Sequence, residues 1–164
     1  MQNITRLFDF PYYQLEHFNL PDALVTKYDN EWVKTSTQEY INKANALSRA
    51  LLNLGIQKND KIAIISSNNT TEWHISDVGI LQVGAQNIPI YPTISSEDYE
   101  YILNHSEAKY CFVSDQVVYD KLKEVQSRIP LLIDVYSFNE ISGCKKWSDL
   151  VTNGADTSNQ NIVE

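Results

Sequence analysis

The chain has 164 residues, enough for one hydrophobic core with a polar extension, and its 43% hydrophobic content is that of an ordinary folded domain. Its formal charge of −8, from 21 acidic and 13 basic residues, argues against the Lys/Arg cluster that neutralises phosphates, so no nucleic-acid partner is expected. No apolar run approaches the roughly 20 residues needed to span a bilayer. Asp9 and Pro11 interrupt the place where a signal peptide carries its apolar centre, and the expectation is a cytoplasmic protein.

Residues 1–35 differ in kind from the rest. "RLFDFPYYQLEHF" is rich in aromatics and carries Pro11, while "DALVTKYDNEWVKTS" suggests a small hairpin around Asp29 and Asn30. This segment reads as an arm or a cover, its aromatics lying on a core or reaching a partner subunit. A helix is then predicted from Ser36, whose spacing to Glu39 is that of a capping box. Tyr40, Ala44, Leu47, Leu51 and Leu54 recur at three- and four-residue steps, and Gly55 supplies the stop.

"KIAIIS" is near-continuously apolar, as a parallel strand covered on both faces should be. The next helix is expected to take Asn69 as its cap, with Glu72 three residues on and Gly84 as its end. "QNIPIY" is a strand that Pro89 assigns to an end, an edge or a bulge. Ser95 caps a helix over "SEDYEYILNHS", with Asp98 at its third position. "KYCFVS" reads as a strand, "DQVVYDKLKEVQSR" as an amphipathic helix, "PLLIDVYSF" as an apolar run and "KKWSDLVTNG" as a short helix.

Alternation of this kind predicts an α/β fold over residues 36–150, with a mostly parallel sheet and helices packed on it. Residues 151–164 read as a polar tail.

A search for catalytic residue types yields little. His17, His74 and His105 sit in no metal-binding pattern, and Cys111 and Cys144 lack ligand spacing, so no metal site is expected and the thiols read as buried or incidental. There is no nucleophile elbow, and the five glycines are too scattered for a glycine-rich phosphate loop. Two loop-to-helix junctions, "SSNNTTEW" and "YPTISSEDY", offer free amides and hydroxyls that suit an anion, although helix capping alone accounts for those residues. Glu97, Asp98 and Glu100 complement a helix dipole, and Asp120, Lys121, Lys123 and Glu124 read as a solvated face with weak ion pairs.

Taken together, the pieces from about residue 30 to 115 resemble the N-terminal region of adenylate-forming acyl-CoA synthetases, in the long-chain fatty acid-CoA ligase branch. They are a helix ending Leu54-Gly55, a turn ending at Asp60, "IAIIS" with two asparagines and Glu72-Trp73, Gly84-Ala85 before "PIYPT", then "YIL" and "FV" with Asp115. The resemblance implies that this α/β unit is part of a larger N-terminal domain. It also implies an enzyme that converts fatty acid and ATP, with Mg2+, to an acyl-adenylate and then transfers the acyl group to coenzyme A.

Tyr91, Pro92 and Thr93 align with a turn on the coenzyme A path, where relatives often carry glycines instead. The family's phosphate loop, adenylate motif, ribose-binding aspartate and C-terminal lysine lie later in the chain and have no match here. The expectation is therefore an N-terminal piece of the ligase that is inactive alone and binds none of the cofactors tightly. Peripheral membrane association and a homodimer through the N-terminal region are further implications of the family. The competing reading is a free-standing non-catalytic α/β interaction or ligand-binding module; a dinucleotide-binding oxidoreductase is opposed by the absent glycine fingerprint.

Overall fold

The structure, a computed structural model, describes residues 4–155. The remainder of the expected polar tail, 156–164, lies outside the described residues. After a 3-10 turn (Leu7–Asp9) comes α1 (Phe10–His17), with Pro11 in its first turn, where a missing amide costs no intrahelical hydrogen bond. β1 (Leu24–Tyr28) and β2 (Glu31–Thr35) then form the antiparallel hairpin. Asp29 and Asn30 connect them with φ of 45° and 70°, the left-handed pair that a tight two-residue hairpin requires and that these residue types tolerate.

α2 (Thr37–Asn53) starts at the capping box read from the sequence. Ser36 Oγ accepts the Glu39 amide at 3.2 Å, and Glu39 Oε2 accepts the Ser36 amide at 2.8 Å. Gly55 ends the turn at φ 83°. Five strands follow, all paired in parallel: β3 (Lys61–Ile65), β4 (Gln86–Ile90), β5 (Ala108–Val113), β6 (Asp134–Ser137) and β7 (Lys145–Lys146). Their order is β4-β3-β5-β6-β7, which puts the proline-bearing β4 at an edge, where a missing donor is tolerated.

Between the strands run α3 (Thr71–Gln82), α4 (Ser96–Ser106) and α5 (Gln116–Lys123), and α6 (Trp147–Gly154) follows β7. α2, α3 and α6 cover one face of the sheet, where Leu47, Leu51, Ile75, Ile80 and Leu150 meet Ile62, Ile64 and Phe112. α4 and α5 cover the other, where Tyr99, Leu103, Val118 and Leu122 meet Ala63, Ile65, Cys111 and Val113. Successive side chains of β3 and β5 thus point into two separate cores, which is why those strands are apolar without alternation.

Three readings of the sequence need correction. α3 is capped at Thr70 rather than Asn69 and has no side-chain cap of its own; the hydroxyl of Thr26, on β1, takes the Thr71 amide at 3.0 Å instead. The polar tail was drawn from residue 151, yet Val151 to Gly154 belong to α6. A Cβ on Gly154 would stand 1.8 Å from the Ala46 carbonyl oxygen, so only glycine lets α6 approach α2 this closely, and Arg49 Nε donates to the Gly154 carbonyl at 2.6 Å. The helix predicted through Arg128 stops at Lys123 and resumes as a single 3-10 turn, Gln126–Arg128.

α1 is tied to the core by a polar chain. Tyr12 Oη donates to Asn45 Oδ1 at 2.6 Å, and Gln82 Nε2 donates to Tyr12 Oη at 2.9 Å. Phe8 packs on the first core while Phe10 and Phe18 stay exposed. Among the described residues no helix is long and apolar enough to cross a membrane.

Candidate functional site

In open parallel sheets, ligands gather at the carboxyl ends of the strands, near the point where successive connections leave for opposite faces. Here that point lies between β3, whose chain continues into α3 on one face, and β5, whose chain continues into α5 on the other. Its crevice is bridged by the protein's own groups. Ser114 Oγ accepts the Ser67 amide at 2.9 Å and donates to Asp115 Oδ2 at 2.6 Å, and Ser67 Oγ donates to the same oxygen at 2.8 Å. Burial raises the Asp115 pKa, but hydrogen bonds from Ser114, Val118 and Ser67 outweigh it and leave the carboxyl below its ordinary range. Asp115 is an ionised cap for α5, fully engaged where it stands.

A cleft of about 250 Å3 opens one strand further out, at the ends of β3 and β4. Ile64, Ser66, Asn69, Trp73, Tyr91 and Pro92 are among its lining residues. The two loop-to-helix junctions singled out separately in the sequence therefore meet in one place. Of the three turn residues, Tyr91 and Pro92 line the cleft, whereas Thr93 is exposed and outside that lining. The walls are mainly apolar, with Ser66 and Asn69 as polar points, and the lining includes no lysine, arginine, histidine or cysteine. Such a surface can bind and orient an apolar or amide-bearing chain, and the Tyr91 phenol is the one side chain of a general acid–base type in its lining.

The Tyr91–Thr93 turn is held from behind. Tyr99 is completely buried on α4, and its hydroxyl donates to the Pro92 carbonyl at 2.8 Å. Burial pushes that hydroxyl up to about 12, which keeps its proton in place as a donor at neutral pH. Lys121 Nζ, from α5, donates to the Pro92 carbonyl at 3.0 Å and to the Ile94 carbonyl at 2.8 Å. The same ammonium stands 5.4 Å from the centre of the Tyr99 ring, within cation–π range.

This corrects the reading of the α5 charges in part: Asp120, Lys123 and Glu124 are exposed as expected, but among the described residues none of the four is ion-paired, and Lys121 is half-buried. Lys121 turns to backbone carbonyls, Asp120 accepts from Gln116 Nε2 at 2.7 Å, and Glu124 accepts from Ser96 Oγ at 2.7 Å. Sequence reasoning missed both Lys121 and its role because its acceptors lie 27 and 29 residues away. Tyr99 was placed on the inner face correctly, but nothing local announced the hydrogen bond it makes.

The remaining candidates are dispersed. His17 stacks on Tyr13, His105 on Tyr101, and His74 meets Trp73 edge-on. Asp98 completes the Ser95 capping box and Glu100 pairs with Arg128 at 2.9 Å. Among the described residues no group of three or more His, Cys, Asp or Glu side chains could hold a metal ion. Cys111 is buried and Cys144 half-buried, and burial raises the pKa of both thiols.

Comparison with known proteins gives this geometry its context. The family model for AMP-binding enzymes matches residues 16–160. A long-chain-fatty-acid–CoA ligase of Mycobacterium bovis is 34% identical over 107 residues, which are 65% of this chain and 18% of that protein. One from Xenopus laevis is 28% identical over 118 residues, 72% of this chain and 16% of the relative. The chain thus spans less than a fifth of the length of these curated relatives.

Among solved structures, an anthranilate CoA ligase in complex with anthranoyl-AMP superposes with a TM-score of 0.76 at 20% identity, covering 90% of this chain and 27% of the other. The adenylation domain of a carboxylate reductase from Mycobacterium chelonae gives 0.76 at 17% identity, covering 92% and 29%. Those likenesses establish the fold, that of adenylate-forming enzymes. With most of its length matched by the family model, the chain belongs to the AMP-binding enzyme family.

Proposed function

We propose that the chain is the N-terminal portion of an ATP-dependent long-chain fatty acid-CoA ligase. The whole enzyme would join fatty acid and ATP, with Mg2+, to give acyl-adenylate and pyrophosphate, and coenzyme A thiolate would then displace AMP. The observation that carries the reading is the 34% identity to a long-chain ligase over 65% of the chain. On this reading the phosphate loop, the adenylate motif and the catalytic lysine belong to other sequence, and these 164 residues contribute structure.

Within this portion, Tyr91, Pro92 and Thr93 form the turn along the coenzyme A path. The cleft beside them suits the amide-bearing pantetheine arm, with apolar walls from Ile64, Trp73 and Pro92 and polar points at Ser66 and Asn69. No cation in the lining is available to meet phosphates, so the nucleotide end of coenzyme A lies beyond it. The reading includes a cytoplasmic protein in peripheral contact with membranes, and a homodimer through the N-terminal region, for which the exposed Phe10 and Phe18 provide apolar surface.

The test is thioester synthesis by the protein expressed from its complete gene, supplied with ATP, Mg2+, coenzyme A and fatty acids of graded length. Acyl-CoA formation with stoichiometric pyrophosphate is the expected result. Adenylation confined to aryl or amino acids would overturn the fatty-acid assignment. Calorimetry of the 164-residue chain with ATP should give no micromolar binding, and micromolar affinity would overturn the structural role.

A further inference from the structure

We propose that Lys121 is the positioning residue of the Tyr91–Thr93 turn, its ammonium pinning two backbone carbonyls so that the turn is rigid before any ligand arrives. The chain leaves β4 at Ile90 and enters α4 at Ser96, and the connection between them has no strand or helix hydrogen bonds of its own. Its shape is held by the Ile94 side chain packed on the second core, by Asp98 accepting the Ser95 amide at 3.2 Å, and at the carbonyls of Pro92 and Ile94, both of which point to Lys121 Nζ. An ammonium carries three donors around a compact charge, a geometry that can hold two carbonyls one residue apart.

The Pro92 oxygen has a second donor in Tyr99 Oη. Lys121 is thus the sole side-chain donor among the described contacts for Ile94, and a shared one for Pro92. The carboxylates flanking Lys121 on its own helix do not compete for it, because Asp120 and Glu124 accept from Gln116 and Ser96. Between the two pinned carbonyls Thr93 is left exposed, and Tyr91, 80% exposed, stands at the cleft rim. A ligand meeting this turn orders no backbone on arrival, so less of its interaction energy is lost to entropy. That consequence rests on the coenzyme A reading above; the pinning itself rests only on the geometry.

Backbone 15N relaxation of the 164-residue chain separates the two. In the unsubstituted chain the order parameters of Thr93 and Ile94 should lie near about 0.85, the value of rigid backbone, and in Lys121→Met they should fall below about 0.6 while those of β3 stay unchanged. Lys121→Arg, which retains a cation with several donors, should keep most of the order. Unchanged order parameters at Thr93 and Ile94 in a folded Lys121→Met chain would overturn the proposal.

If Lys121→Met fails to fold, the unsubstituted chain still decides. A pinned ammonium gives a resolved, slowly exchanging Lys121 Nζ resonance, and one averaged with solvent overturns the pinning. In the whole ligase, Lys121→Met should raise KM for coenzyme A about tenfold with KM for ATP unaltered. A loosened turn with an unaltered coenzyme A KM would leave the pinning intact and remove the turn from the coenzyme A path.

Discussion

β1 and β3 are both five-residue strands, yet they are held in place by different physics. β3 sends Ile62 and Ile64 into one core and Ala63 and Ile65 into another, so it is fixed by apolar burial on both faces. β1 alternates half-buried and exposed positions, and its inward side chains are largely polar. It is fastened to the start of α3, where Thr26 takes the Thr71 amide and Tyr28 Oη donates to the Glu72 carboxylate at 2.7 and 2.8 Å. Burial and then Glu72 raise the Tyr28 pKa, which keeps the donor protonated. A strand fixed by packing cannot leave without dissolving the domain, whereas one fastened by a few hydrogen bonds can open locally.

The sharpest test of that contrast is Phe112→Ala, at a fully buried ring in the first core. It should cost about 4 kcal/mol in denaturant unfolding, from lost burial plus a cavity. A loss below about 1 kcal/mol would mean that the sheet is not packed as described. Gly154→Ala follows, at about 2 kcal/mol, because the added methyl meets the Ala46 backbone and not a movable side chain. Thermal melts of the two variants should rank in that order.

Tyr28→Phe should cost about 1.5 kcal/mol, the scale of a hydrogen bond to a charged group. Its distinguishing sign is amide exchange that accelerates in β1 and β2 alone. Acceleration spread equally through β3 would erase the distinction between the two regions.

The smallest effect is at Asp9, in the 3-10 turn ahead of α1. The Arg6 side chain, followed in smaller measure by the amides of Thr5 and Arg6, brings the Asp9 carboxyl from its ordinary 3.8 down to about 2. A depressed carboxylate pKa stabilises the fold above the ordinary value, and the contribution is lost as pH falls from about 3.8 through about 2. NMR titration should therefore show the turn loosening in that window with the sheet resonances unmoved.

The same division governs what could be read from the residues. The Ser36 capping box, the Ser95 cap with Asp98, the hairpin turn, the exclusion of Pro89 from an uninterrupted central pairing and the doubly buried β3 were legible because each depends on neighbours in the chain. The cap of α3 was misplaced because its hydroxyl partner comes from β1, 45 residues away. α6 was legible as far as Gly154 in "KKWSDLVTNG", but the reason its last residue must be glycine appears only when Gly154 is seen against Ala46. At the site, the two junctions were legible one at a time, but their meeting in one cleft follows from the parallel register of β3 with β4. The Lys121 contacts have no local signature at all: an amphipathic helix bearing lysines looks alike whether its ammonium groups face water or a carbonyl.

Pro89, seated in β4, also bears on how copies of the protein behave when concentrated. The outer rim of a five-stranded sheet is a template on which a neighbouring molecule could lay a strand of its own, the first step of many precipitates. A residue with no amide hydrogen interrupts that template in its fourth position, so any incoming chain would meet a gap in the row of donors. The tertiary amide that looks like a flaw in the ladder thus disfavours strand addition at this edge.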